Sequence, residues 1–184
     1  MGYFRAFCLV VGLAVIAGPG LADQTDPRLE PLFEQLKSES QPAEAVSIAQ
    51  EIWAIWLEPT DPAVQSFMKS GLDAMNRGNN RAALDAFDQV ISIAPDFAEG
   101  WNKRATVHFL LNNLQKSLAD ITATLELEPR HFGALSGRGL VFVKLRKFEP
   151  ALSAFEEALI ISPQLAEAKA NIKAIRKLLG QREI

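Results

Sequence analysis

Residues 62–95 read PAVQSFMKSGLDAMNRGNNRAALDAFDQVISIAP, and the next two blocks of 34, 96–129 and 130–163, follow the same pattern. Each block closes on a proline: Pro95, Pro129 and Pro163. Phe67, Trp101 and Leu135 form one large apolar column, and Gly71, Ala105 and Gly139 a small one. Further along come the small Ala83, Ser117 and Ala151, and then Phe87, Ile121 and Phe155. Leu84, Leu118 and Leu152 share a column, as do Ile93, Leu127 and Ile161. Agreement in so many columns at one step marks a repeated structural unit.

Within a block the pattern is two helices and a short break. Asp61-Pro62 supplies an N-cap acceptor, then a proline where a missing N–H costs nothing. The first helix is predicted to run to about Asn76, with the turn at Gly78-Asn79-Asn80. The second carries Leu84, Phe87, Ile91 and Ala94 on one stripe before Pro95 stops it. The small columns let two helix axes approach closely, with Gly71 expected opposite Ala83. A lone hairpin leaves apolar surface uncovered, so neighbouring copies must share a core and both ends need caps.

This pattern resembles the tetratricopeptide repeat: Trp–x2–Leu–Gly–x2–Tyr, then Ala–x3–Phe, then Pro, on a period of 34. The resemblance covers residues 62–163 and implies an all-α fold, an α-solenoid of three hairpins at 62–95, 96–129 and 130–163. An N-terminal helical hairpin over 23–61 and a C-terminal capping helix over 164–184 complete it. The function implied is a non-catalytic protein–protein interaction adaptor. In proteins of this fold the first helix of each repeat lines a concave side, where partners lie as extended peptides or helices. Those contact positions fall on Gln65, Met68, Leu72, Met75 and Asn76, and on Glu99, Asn102, Thr106, Phe109 and Leu110. In the third block they fall on Gly133, Ser136, Leu140, Val143 and Lys144. Some members grip a C-terminal carboxylate with a Lys/Asn/Arg clamp. Met68, Leu72, Gly133 and Gly137 stand where that clamp needs basic and amide side chains, so it is not expected here. The remaining groove is largely apolar, with adaptable methionines, and suits an amphipathic helix or apolar peptide. A self-associating scaffold of the cell envelope is the alternative, and the sequence leaves it open.

The flanks read differently. Residues 1–22 resemble a secretory signal peptide, with Arg5 in the n-region, an apolar run over 6–17 and the breaker Gly18-Pro19-Gly20. Gly20 and Ala22 are small residues at the positions a signal peptidase reads, so Asp23 is the expected first mature residue and the expected location periplasmic or secreted. An apolar run of 12 is too short to span a bilayer, so no integral membrane span is expected in the mature chain. In segment 23–61 Leu29, Leu32, Phe33 and Leu36 lie on one helical face, and Ala45, Ile48, Ile52, Trp53 and Trp56 on a second helix. The expected role is a cap over the first repeat; an exposed docking surface at Trp53 and Trp56 is the rival. Past Pro163, Leu165, Ala168, Ile172, Ile175 and Leu179 form the apolar face of a capping helix, opposite Lys169, Lys173, Arg176 and Lys177.

Composition argues against chemistry. Losing residues 1–22 removes Arg5 and no acid, leaving 18 basic against 22 acidic residues and no reason to expect nucleic acid. Cys8 is the only cysteine, so the mature chain has neither disulfide nor thiol nucleophile. His108 and His131 fall in different repeats, the first in a column of packed aromatics and the second expected on the surface. No metal-binding, nucleotide-binding or catalytic motif is present, so no cofactor, metal or catalytic residue is assigned. Gly133, Gly137 and Gly139 lie on a helix in register with the repeat, and the first two are expected to mark a thinly covered surface.

Overall fold

The computed structural model describes residues 24–59 and 61–180. The signal-like segment 1–22, Cys8 and Asp23 lie outside the described residues. Among those described, the chain forms α1 (Leu29–Ser38), α2 (Pro42–Trp56), α3 (Pro62–Asn76), α4 (Asn80–Ile93) and α5 (Ala98–Leu110). α6 (Leu114–Leu127), α7 (Phe132–Lys144), α8 (Phe148–Ile161) and α9 (Ala166–Leu178) follow, with no strand. From α3 to α9 each helix packs on the next, which is the solenoid anticipated from the repeat.

Local chemistry starts and stops these helices. The Asp61 carboxylate accepts from the Ala63 and Val64 N–H groups at 2.7 and 3.2 Å, with Pro62 as the first helical residue. Asn79 caps α4 through Ala82 N–H at 3.2 Å. Each first-to-second helix turn has one left-handed residue: Gly78, Asn112 and Arg146, at φ 70°, 59° and 57°. They are 34 residues apart, and Gly180 at φ 68° continues the series. α9 therefore stands where the first helix of a fourth repeat would stand. It keeps the columns that face the preceding helix, with Ala168 and Ile175 buried beneath it. The two columns that seat a repeat's own second helix change to Lys169 and Lys173. That exchange of apolar for charged residues is what makes α9 a cap.

Helix spacing is set by a small residue under a large one. A Cβ built on Gly71 would lie 2.5 Å from the Phe87 ring, and one on Gly139 would lie 2.6 Å from Phe155. Both rings are fully buried. In the second repeat the large partner is the smaller Ile121, and there the small column carries a Cβ, as Ala105. Gly71 thus meets Phe87, four residues beyond the Ala83 expected from sequence.

The N-terminal hairpin does not sit where a cap of the first repeat would sit. α1 packs against α8, and the apolar cluster of the hairpin is completed by Phe132 of α7, with Ile161 at its edge. Gln24 hydrogen-bonds Asp96 O at 2.6 Å, and Arg130 reaches Glu30 at 2.8 Å. The hairpin folds back over the edge of the second and third repeats. The outer side of α3 needs no cover because it is polar, with Gln65, Ser66, Lys69 and Ser70 exposed.

Gly139→Ala should destabilise the chain by about 1–3 kcal/mol, the usual cost of forcing an extra carbon into a packed core. In the Phe155→Ile background, which copies the second repeat, the same change should cost less than about 1 kcal/mol. Denaturant unfolding of the four-protein cycle measures that coupling; additive costs would sink the pairing.

Candidate functional site

Two connected hollows lie between α5 and α7 on the side formed by the first helices of the repeats. The narrower is lined by Asn102, Thr106, Phe109, Gly133, Gly137 and Leu140, with Ala105, Ser117 and Ile121 behind. The wider, about 300 Å³, adds Trp53, Lys103, Phe132, Ser136, Leu165 and Glu167 to that wall. Of the positions expected from sequence, Asn102, Thr106, Phe109 and Leu140 therefore come together. Met68 does not: it is 3% exposed and belongs to the core beneath α3. Leu72 and Met75 are half-buried against that same core, and Asn76 is exposed near the turn. Val143 packs toward α9, while Lys144 donates to Phe109 O at 3.2 Å and lies 4.0 Å over the Phe109 ring. The groove is more polar than its sequence suggested, because Asn102, Thr106 and Ser136 form much of its wall. Ser136 Oγ is buried without a hydrogen-bond partner.

The wall of this groove rests on a buried polar cluster. His131, expected on the surface, has a side chain with no exposed area. Its Nδ1 accepts the Ala134 N–H at 3.0 Å, capping α7, so the ring proton sits on Nε2. Nε2 donates to Glu99 at 2.9 Å. Asn102 Nδ2 donates to the same carboxylate oxygen at 2.9 Å, and Lys103 Nζ pairs with the other at 2.8 Å. Burial is the largest influence on Glu99 and pushes its carboxyl upward, but Lys103 and His131 together outweigh it and hold the group below its ordinary value. Glu99 is enclosed, with Oε2 hydrogen-bonded by His131 and Asn102 and Oε1 held only by the ion pair to Lys103.

Trp53 and Trp56 close the cluster from above. The Trp56 indole stacks on His131 with centroids 4.2 Å apart and planes 9° from parallel. Lys103 Nζ lies 4.8 Å over Trp53, whose edge covers Gly133. A Cβ on Gly133 would stand 2.6 Å from that indole, so Gly133 marks a close contact and not a thinly covered helix. The exposed docking surface considered for these tryptophans is absent: Trp56 is 2% exposed and Trp53 half-buried. The signal sequence reading missed was the two-residue pair His131-Phe132 beside Gly133, where a buried ring and a bare backbone sit together.

A larger hollow of about 550 Å³ opens between α4 and α6, lined by Arg81, Asp85, Asp88, Arg104, His108, Lys116 and Asp120. Arg104 grips Asp120 with two nitrogens at 2.9 and 2.7 Å and Asp88 with the third at 2.7 Å, tying three helices together. His108 is buried there as its aromatic column implied, and burial lowers its basicity while Asp120 opposes that. Among the described residues no group of three or more His, Cys, Asp or Glu is placed to hold a metal ion. No described helix is long and apolar enough to cross a membrane.

A tetratricopeptide-repeat family model matches residues 68–121 and 111–166. A repeat-containing protein of Rhizobium etli, named for the same repeat, is 41% identical over 157 residues, 84% of this chain and 76% of that one. Among solved structures, the first such domain of Spaghetti bound to an HSP90 peptide superposes with a TM-score of 0.62 at 22% identity, covering 64% of this chain and 94% of that one. MamA superposes with the same TM-score of 0.62 at 18% identity over 82% of this chain and 85% of that chain. At these identities the structural matches speak to the fold.

Glu99 titrates lower when folded than its unfolded value near 4.5, so it stabilises the folded chain, on which the two indoles rest, above that pH. The contribution falls away as pH drops through the folded value. Tryptophan emission should therefore be flat from neutral pH to about 5 and shift in more acid solution, with the shift reduced in Glu99→Gln. A variant whose acid transition overlays wild type would remove Glu99 from the seat.

Proposed function

The chain belongs to the tetratricopeptide-repeat family, and from that premise we propose that it is a non-catalytic adaptor which holds a segment of a partner protein in the groove between α5 and α7. The observation that carries this reading is the 300 Å³ hollow, whose wall presents Asn102, Thr106 and the unpaired Ser136 hydroxyl around an apolar floor of Leu140 and Phe132. A buried hydroxyl without a partner is costly, and a peptide N–H or C=O is a group that would satisfy it. Apolar floor and polar walls suit an extended segment, its side chains on Leu140 and its backbone bonded at the rim. The solved relative with an HSP90 peptide supports the same mode of use. The carboxylate clamp of some family members is not proposed here, because Met68 is core and Trp53 occupies the space over Gly133.

The wider set of groove positions, Leu72, Met75, Asn76, Val143 and Lys144, would contact the flanks of a longer partner. The signal-like residues 1–22 support an adaptor that works in the periplasm or outside the cell, with Asp23 as the first residue of the mature chain. No nucleic acid is needed as partner by a chain of formal net charge −3.

Crosslinked capture of the mature chain from its own envelope fraction, beside Thr106→Arg, tests the groove. Thr106 is exposed and central, so the arginine fills the hollow while changing stability by less than about 0.5 kcal/mol. Capture by wild type should fall roughly tenfold or more in the variant, a loss of about 1.4 kcal/mol. Equal capture by both would move the site elsewhere. Recovery of the protein alone would favour the self-associating scaffold.

A further inference from the structure

The α1–α2 hairpin keeps most of its apolar core to itself and meets the solenoid through a small set of side chains. Of the eight buried residues in its apolar cluster, seven belong to the hairpin and only Phe132 comes from the repeats. The solenoid clusters join neighbouring helices: α3 to α5 in one, α5 to α7 in another and α8 with α9 in a third. The contacts that fix the hairpin are side-chain contacts: Trp56 on His131, Trp53 on Gly133, Arg130 on Glu30 and on the Phe33 ring, and Gln24 on the start of α5. They also leave polar groups unpaired. Trp56 Nε1 is buried without a partner, as is Ser136 Oγ in the adjoining wall. A buried indole N–H left without an acceptor marks the hairpin contact as incompletely satisfied.

Trp53 is also the residue through which the hairpin enters the groove. It stands over Gly133, the third-repeat position equivalent to Gln65 and Glu99, and it forms one side of the 300 Å³ hollow. A partner lying the full length of α7 meets this indole at its first turn. Resting on the groove reading above, we propose that the hairpin is a tethered gate: it docks as a folded unit with Trp53 seated on Gly133 and swings away when a partner's own side chain takes that seat. The occupant that replaces Trp53 is a large apolar or aromatic side chain of a protein partner. The site is a bare backbone at Gly133, walled by Phe132 and by the Lys103 ammonium, which favours an aromatic face. The closed and open forms then differ by a local opening that leaves α3–α9 intact.

The test needs no partner. With Cys8 replaced by serine, Ser136→Cys places the only thiol in the groove wall, one helical turn from Gly133, and Thr122→Cys places a control on the exposed side of α6. The rate of maleimide labelling is measured on the full chain carrying Trp56→Ala, and separately on the full chain carrying Glu30→Lys. The second variant sets two like charges against each other at the exposed Arg130 contact and keeps every core residue, so it answers even where Trp56→Ala fails to fold. The gate requires labelling at 136 to accelerate roughly tenfold in either background while labelling at 122 stays unchanged. Equal rates at 136 in all backgrounds, or parallel acceleration at 122, would overturn it. A gate that opens this way beside a failed partner capture would separate this device from the adaptor reading, since the labelling does not depend on any partner.

Discussion

The structure depends on how closely the two helices of a repeat can approach, and that distance is set where a ring lies on a bare backbone. Phe87 over Gly71 and Phe155 over Gly139 bring α3 to α4 and α7 to α8 within reach of a shared core. The second repeat pairs a smaller large residue with a larger small one, Ile121 with Ala105, both buried. Because interiors pack as densely as crystals, such a trade of volume is the form of variation a repeat can accept. The groove inherits its width from that spacing, since α5 and α7 are held apart by the intervening α6.

The same physics recurs at the edge of the array. Trp53 on Gly133 repeats the ring-on-glycine contact, but between an outlying hairpin and the solenoid. Here it is accompanied by charge: Glu99 lies enclosed beneath the two indoles, paired with the Lys103 ammonium and accepting a hydrogen bond from His131. Removing water from a carboxylate is expensive, and such buried pairs give specificity of arrangement more dependably than they give stability. The cluster fixes where the hairpin lands. The hairpin's own apolar core holds it together once there.

Most of the solenoid was legible in the sequence, because a step of 34 aligned apolar columns, small residues and closing prolines without reference to anything distant. Local capping was legible too: Asp61-Pro62 reads correctly from four residues. Even the volume trade between Phe87–Gly71 and Ile121–Ala105 is visible once columns sixteen residues apart are compared. What could not be read was any contact between segments that share no period. Nothing in 23–61 says whether Trp56 faces the first repeat or the third, since an amphipathic helix states which side is apolar and not what it meets. His131 looked like a surface residue because its partners, Glu99 and Trp56, are 32 and 75 positions away in sequence. Met68 misled for a related reason: a position that lines the concave side in the family lies here within the core, with α3 at the end of the array.

The lysines of α9 carry a consequence for assembly. Helical arrays with matching ends can add copies head to tail, and a contact of that kind does not close on itself but grows into a fibre. A second molecule joining at α9 would set its apolar columns against Lys169 and Lys173 and strip water from two ammonium groups. At the opposite end α3 turns Lys69, Ser66 and Ser70 outward, which is no better a match. Growth of the array through either end is thus opposed by the cost of burying charged and polar side chains, which works against filaments seeded at those ends.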